Sequence, residues 1–202
     1  MILNVQDRSA LIEANFNSAS VILLPRTLSG DFNALARDLE DFKAAGMGPR
    51  VQPGERLLKS IEIFAGEPQG QHHVAARAVM DDVQFFARQN LRVALRLERS
   101  FSAASEPDPF HQDRLDAVLG RILCNYNTPA TEWILPEDAV YQRRQGLFTA
   151  RQGADIHRFP SGALWRFAGT RNETGVAALI HRAPRTERGA PPRLLLVADR
   201  NV

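Results

Sequence analysis

Apolar positions recur along this chain at spacings that change from stretch to stretch, and each change marks an element. Residues Ser18 to Pro25 (SASVILLP) form a short apolar run closed by a proline, the pattern of a buried strand. After the capping group Ser29-Gly30-Asp31, Phe32, Leu35, Leu39 and Phe42 recur at three- and four-residue spacing up to the AGMG stretch near Gly46, which predicts an amphipathic helix. Residues 47 to 71 carry Gly and Pro breaks around the apolar stretch Ile61 to Phe64, read as a short strand. A second helix is expected over His73 to Gln89, with Val79, Val83 and Phe86 on its inner face. At Leu91 the period falls to two: Leu91, Val93, Leu95 and Leu97 alternate with Arg92, Arg96 and Glu98, as in a half-buried strand.

Beyond a loop over Ser102 to Pro109, the rest reads as short strands divided by turns at Asn127-Thr128-Pro129, Gln145-Gly146, Pro160-Ser161-Gly162 and Gly189-Ala190-Pro191-Pro192. Helices first and strands afterwards imply an α+β layout, with helices packed on a β-sandwich or barrel. With 202 residues, 44% of them apolar, the chain is read as a single domain over 1-202. Within it, 1-100 is a supporting region of helices and strand and 101-202 a β core. A net charge of +2, from 25 basic against 23 acidic residues, gives no reason to expect a nucleic-acid or membrane partner. Only Lys43 and Lys59 are lysines, an Arg bias that genome composition explains as simply as anion recognition. Cys124 is the sole cysteine, which excludes an intrachain disulfide and a thiolate zinc cluster and fits a reducing compartment. The N-terminus has no targeting pattern, so a soluble, cytoplasmic protein is expected.

Chemistry enters at His111 and Asp113. Two residues apart, they project from the same face of a strand and can hold one ion together. His181 ends the run Gly175 to Ile180 (GVAALI), apolar on both faces as in an interior strand, and can supply a third ligand. Two imidazoles and a carboxylate on one face of an ion leave the opposite positions open, the arrangement of non-haem Fe(II) oxygenases. Arg193 opens a further strand, Arg193 to Val197 (RLLLV), twelve residues after His181. A guanidinium facing a barrel interior needs an anion beside it, and a dicarboxylate would supply one.

The order His-x-Asp, distal His, then Arg resembles the iron(II) and 2-oxoglutarate-dependent oxygenase superfamily. ILCNYNTPATEW (Ile122 to Trp133) resembles its segment of strand, Tyr, Asn and Gly-rich turn ending in Thr, and PSGALWRF (Pro160 to Phe167) resembles the Gly-led apolar strand that precedes its distal His. That resemblance implies a double-stranded β-helix (jelly-roll, cupin-like) core in the C-terminal half with N-terminal helices packed against it. It implies Fe(II) on His111, Asp113 and His181, with Zn or Ni in the protein as isolated. Tyr126 and Arg193 would hold the two ends of 2-oxoglutarate, the assignment of ends being open. The sequence departs from the superfamily where Asn127-Thr128-Pro129-Ala130 replaces a double Gly. The strings PFHQD, ILCNY, TEW, HRAP and RLLLVAD resemble, more narrowly, a bacterial family defined as a domain of unknown function, whose members are thought to accompany zinc-homeostasis genes. Two other readings of the ligand set stay open: a non-catalytic metal-binding protein of zinc or metal homeostasis, with Arg193 paired to Asp199 or Glu132, and a cupin-like metalloenzyme that uses no 2-oxoglutarate. Substrate and oligomeric state are not readable.

Other residues carry plainer readings. Trp165, Arg166 and Arg182 neighbour the ligand segments and are candidates for the mouth, although alternation puts Arg182 on the face opposite His181. Cys124 alternates in phase with Ile122 and Tyr126 and is read as a small buried apolar residue rather than a neighbour of the metal. His157, two residues after Asp155, reads as a loop histidine, and His72 and His73 as surface residues at a helix start. Phe85 and Phe86 read as core, and Glu132 and Trp133 read equally as residues that orient the loop after the turn and as a solvated Glu beside a packed Trp.

Overall fold

The chain is described by a computed structural model at residues 2–17, 19–41, 54–98, 108–115, 120–127, 130–170, 175–184, 187 and 189–200. In chain order the elements are β1 (Ile2–Asn4), α1 (Arg8–Glu13), β2 (Val21–Leu24), α2 (Phe32–Asp41), α3 (Gly54–Ala65), α4 (His73–Arg88), β3 (Leu91–Glu98) and β4 (Arg121–Asn125). There follow β5 (Glu132–Ile134), β6 (Ala139–Gln142), β7 (Leu147–Ala150), β8 (His157–Arg158), β9 (Leu164–Phe167), β10 (Ile180–Arg182) and β11 (Arg193–Arg200).

A six-stranded sheet runs in the order β1-β2-β9-β4-β11-β3 and draws three strands from each half of the sequence. It is antiparallel except where β1 meets β2. Alternation along its strands makes two cores. Leu95, Leu97, Ile122, Cys124, Leu164, Leu194 and Leu196 face the helices and pack with Leu35, Ile61, Val79 and Phe86. Leu123, Trp165, Phe167, Leu195 and Val197 face the other way, toward Phe159 and Leu179. There a second sheet, β10-β5-β8, forms the opposing layer. A β6–β7 hairpin, closed by a turn over 143–146, covers its outer side, where Phe110, Ile134 and Ile180 meet Phe148. Each large apolar side chain so buried contributes roughly 1.5–3 kcal/mol, which is why strand parity sets the layering.

The predicted strand over Ser18 to Pro25 is β2, the second helix is α4, and the period-two stretch is β3. The first helix is α2, and its expected end, Phe42 to Gly46, lies outside the described residues. The Ile61–Phe64 strand is corrected: these residues belong to α3, where Leu57 and Ile61 are buried with Leu58 and Phe64 partly so, a four-and-three spacing that lays one helical stripe on the core. The GVAALI strand is shorter than expected. Only Ile180 of that run enters β10, because the Ala178 carbonyl takes a hydrogen bond from the Gln112 side chain (2.9 Å) rather than from a strand partner. Among the described residues, no helix is long and apolar enough to cross a membrane.

Entry into β4 depends on Gly120. Its φ of +65° lies in the left-handed region, and a Cβ there would stand 2.1 Å from the Phe167 carbonyl oxygen, so only glycine admits this close crossing of chain.

Candidate metal centre

His111 and His181 face each other across an isolated antiparallel bridge, with His111 N donating to the His181 carbonyl (2.9 Å) and His181 N to that of His111 (3.0 Å). Opposed residues of such a pair project to the same side, and the two rings sit 4.6 Å apart between centroids. Asp113, two residues along, comes to the same side, and its carbonyl is tied to Thr170 N at 3.0 Å. Asp113 Oδ1 lies 3.6 Å from His111 Nε2 and 3.9 Å from His181 Nε2. One ligand atom from each of the three falls within 4.8 Å of the others. Donors about 2.1 Å from a shared ion stand about 3–4 Å apart, so the set fits a single divalent metal.

The surroundings select the ligand state. Nδ1 of His111 is 3.3 Å from the Pro109 carbonyl oxygen and Nδ1 of His181 is 3.3 Å from that of Leu179. A proton on each Nδ1 leaves the Nε2 lone pairs directed at the shared position. Burial, with His111 adding to it, pushes the His181 pKa down to about 4, so its imidazole is neutral and available to a cation at neutral pH. Arg121 Nη1 donates to Asp113 Oδ2 at 2.9 Å, and its Nε donates to Asp199 Oδ1 at 2.8 Å. The guanidinium therefore holds the second carboxylate oxygen while the first faces the histidines. Phe167 and Trp165 meet the His181 ring edge-on, at 5.1 and 6.2 Å, and seal the inner side. Beyond them a file of rings, Trp165 to Phe159 (4.3 Å), Phe159 to Trp133 (5.8 Å) and Trp133 to His157 (4.3 Å), continues to the edge of the second sheet.

The ligands open into a cavity of about 190 Å³ whose walls include Leu123, Thr131, Leu195, Arg96, Glu98 and Arg193. Arg193 is 4% exposed, with its guanidinium pKa lowered by burial against the pull of Glu98. Its Nη2 donates to Glu98 Oε2 at 2.7 Å, its Nη1 reaches Asn125 Oδ1 at 3.5 Å, and its Nε has no hydrogen-bond partner among the described residues.

Four of the five residues singled out for the site therefore line one cavity, and the fifth does not. Tyr126 is corrected: it lies on the helix-facing side of the sheet, stacked on Phe32 at 5.6 Å, with its hydroxyl donated to buried Asp82 at 2.9 Å. Strand parity explains it, since Tyr126 follows Ile122 and Cys124 onto the helix face while Arg121 and Leu123 take the cavity face. Arg166 is also on the helix side, bonded to the carbonyls of Ile12 and Ala14. Arg182 stands over the Phe110 ring at 4.2 Å and pairs with Glu132, yet reaches the cavity wall. Glu132 is not solvated: it is 4% exposed and takes both Arg158 and Arg182 at 2.7 Å. His72 is not a surface residue either, being buried with Nε2 2.6 Å from Asp38 Oδ2.

Residues 7–199 match the family described as "Protein of unknown function (DUF1826)". The chain belongs to that family. No curated protein matches this DUF1826 chain. Among solved structures it is similar to the Kdo hydroxylase KdoO, a non-heme Fe(II) alphaketoglutarate dependent dioxygenase in complex with cobalt(II), with 13% identity and a TM-score of 0.44 over 98% of this chain and 87% of that one. It is similar also to a full-length Neurospora crassa protein in complex with alpha-KG, with 12% identity and a TM-score of 0.42 over 99% and 84% of the two chains. The C-terminally truncated apo form of that Neurospora crassa protein gives 13% identity and a TM-score of 0.40 over 93% and 84%.

Arg121, Asp199 and Glu98 are site residues that reading the sequence missed. The signal was present but split between strands. Arg121 shares parity with Leu123, Asp199 with Arg193, and Glu98 with Arg96, so each takes the cavity face once that face is known.

Proposed function

We propose that this DUF1826 chain is an Fe(II) and 2-oxoglutarate-dependent oxygenase of small or unknown substrate. The observation that carries the reading is the placement of a His111–Asp113–His181 donor set and a buried arginine, Arg193, on the walls of the same cavity. The strand order supports it. With the β6–β7 hairpin set apart as an insertion between β5 and β8, eight strands (β3, the segment at 110–111, β4, β5, β8, β9, β10 and β11) distribute over two facing layers as β9-β4-β11-β3 and β8-β5-β10 with the 111 segment beside β10. We read this as a double-stranded β-helix, with α1 to α4, β1 and β2 as additions outside it and the whole chain as one domain.

His111, Asp113 and His181 would hold the iron, Arg121 would fix the orientation of Asp113, and Arg193 would take a carboxylate of the cosubstrate. Iron with 2-oxoglutarate supplies oxidative decarboxylation coupled to dioxygen, and Fe(II) is the ion proposed in the cell even where Zn or Ni is found in isolated protein. The apolar wall of Trp165, Phe167, Leu123, Leu195 and Val197 keeps water from the inner side of the ligands, and His111, whose side chain is 39% exposed, marks the open side where substrate would approach.

A second reading, a non-catalytic metal-binding protein of metal homeostasis, is favoured by one contact: Arg193 already has an anion, Glu98. Anaerobic titration of the Fe(II)-loaded protein with 2-oxoglutarate separates the two. Under the oxygenase reading a weak visible charge-transfer band grows in with 2-oxoglutarate and is lost in Arg193→Ala. Iron bound without that band assigns the protein to the second reading.

A further inference from the structure

The contact between Arg193 and Glu98 is unusual in where it sits. The two residues are cross-strand partners in the β11–β3 register, and both line the cavity that carries the metal ligands. Two other cavity cations are held by carboxylates that serve the framework: Arg121 bridges Asp113 and Asp199, and Arg182 pairs with buried Glu132. Glu98 differs in the cation it holds, because the Arg193 side chain is 5% exposed against 25% for Arg121 and 12% for Arg182. Its own side chain is 25% exposed at the end of β3, and, as Asp199 has Arg92 and Glu132 has Arg158, it has a more exposed second guanidinium within reach, Arg96, whose Nη1 is 3.7 Å from Glu98 Oε1 and whose side chain is 42% exposed. A carboxylate placed between a buried and an exposed guanidinium can leave the first without becoming unpaired, because the second accepts it near solvent. Arg193, with its side chain 5% exposed, stays buried, with Asp108 the other carboxylate that acts on it, and among the described residues its Nε has no hydrogen-bond partner. Displacing Glu98 therefore opens the hydrogen-bonding face of a buried cation to an incoming anion.

We propose that Glu98 masks the anion site at Arg193: its carboxylate occupies the guanidinium in the resting protein, and a dicarboxylate enters by displacing it toward Arg96. The proposal rests on reading Arg193 as the residue that binds a carboxylate of the ligand. The device keeps the buried guanidinium paired when no ligand is present, and it raises the ligand concentration needed to fill the cavity. If the masked form makes up nine-tenths of the population, the apparent dissociation constant is about tenfold higher than that of the open site. A tethered carboxylate competes at an effective concentration in the millimolar range, so weak monoanions do not enter.

The test uses the metal-free full chain and succinate, a dicarboxylate without the 2-oxo group, followed by thermal unfolding and calorimetry. Glu98→Gln removes the charge and keeps an amide oxygen to accept from Arg193. Expected are an unfolding midpoint below wild type without ligand, recovery on adding succinate beyond a chloride control of equal ionic strength, and succinate binding about tenfold tighter than to wild type. The gain should vanish in the double variant with Arg193→Ala. Should Glu98→Gln not fold, Glu98→Asp carries the same comparison, since its carboxylate retreats by one methylene from Arg193. Succinate affinity no greater than in wild type, or a gain that survives Arg193→Ala, overturns the masking. A gain in succinate affinity without a charge-transfer band from Fe(II) and 2-oxoglutarate upholds the masking and removes the oxygenase reading. A band in wild type without the gain does the reverse.

Discussion

Cys124 sits on β4 with 0% exposure, in the layer between sheet and helices, and Arg26 Nη2 approaches its sulfur at 3.6 Å. Burial pushes its thiol up to about 12, against the pull of Arg26. Thiolate is the reactive form, so the folded protein at pH 8 should resist iodoacetamide for hours and be modified stoichiometrically once denatured, as intact-mass measurement would show. Modification of folded protein within minutes would place the sulfur elsewhere. The same parity that hides Cys124 decides which residues could be read from the sequence. His111 and Asp113 were legible because two-residue spacing on a strand is a local fact, and His181 because the order of the superfamily motif points to it. Tyr126 was misread because spacing states which residues share a face but not which face meets the helices. Glu98 went unseen because pairing it with Arg193 requires the register of strands more than ninety positions apart in sequence.

At the scale of elements, β11 is the seam of the molecule. It pairs with β3 on one side and β4 on the other, and its alternate residues feed both cores. Leu196, at 0% exposure, lies opposite Leu95 and Cys124 on the helix-facing side. Leu196→Asp removes about 2 kcal/mol of apolar burial and adds an unpaired charge in a dry layer. A total loss of roughly 5 kcal/mol or more reaches the range of a domain's whole stability, so the variant should show no cooperative transition by circular dichroism. A cooperative transition near that of wild type would mean that β11 is not the seam. RLLLV was recognisable as a strand from its composition and its arginine start, and β3 from its period. Harder were α3, whose apolar group Ile61 to Phe64 is too short to distinguish a strand from a helical stripe, and GVAALI, of which only Ala178 to Ile180 is buried, with Leu179 and Ile180 in different cores.

At the scale of the whole molecule, buried Asp82 ties the helical layer to the sheet. Its carboxylate accepts from Arg8 (2.7 Å), from Arg26 and from the Tyr126 hydroxyl (2.9 Å), so α1, the segment after β2, α4 and the end of β4 meet on one side chain. Tyr126→Phe removes one of these bonds without creating a cavity. It should cost about 1–2 kcal/mol in urea unfolding while leaving metal and dicarboxylate affinities unchanged. Weaker binding in that variant would return Tyr126 to the site. The mixture of helices with mostly sheet and the approach of His111, Asp113 and His181 could thus be anticipated from one chain, whereas the wiring between layers could not, since every link in it joins residues far apart in sequence. The file of rings that leaves His181 has an optical consequence. Both tryptophans of the chain stand in it, Trp165 against His181 and Trp133 one ring beyond Phe159, so the tryptophan emission of the protein arises beside the candidate site. If His111, Asp113 and His181 hold an ion, a paramagnetic one would darken this emission and a closed-shell one would spare it.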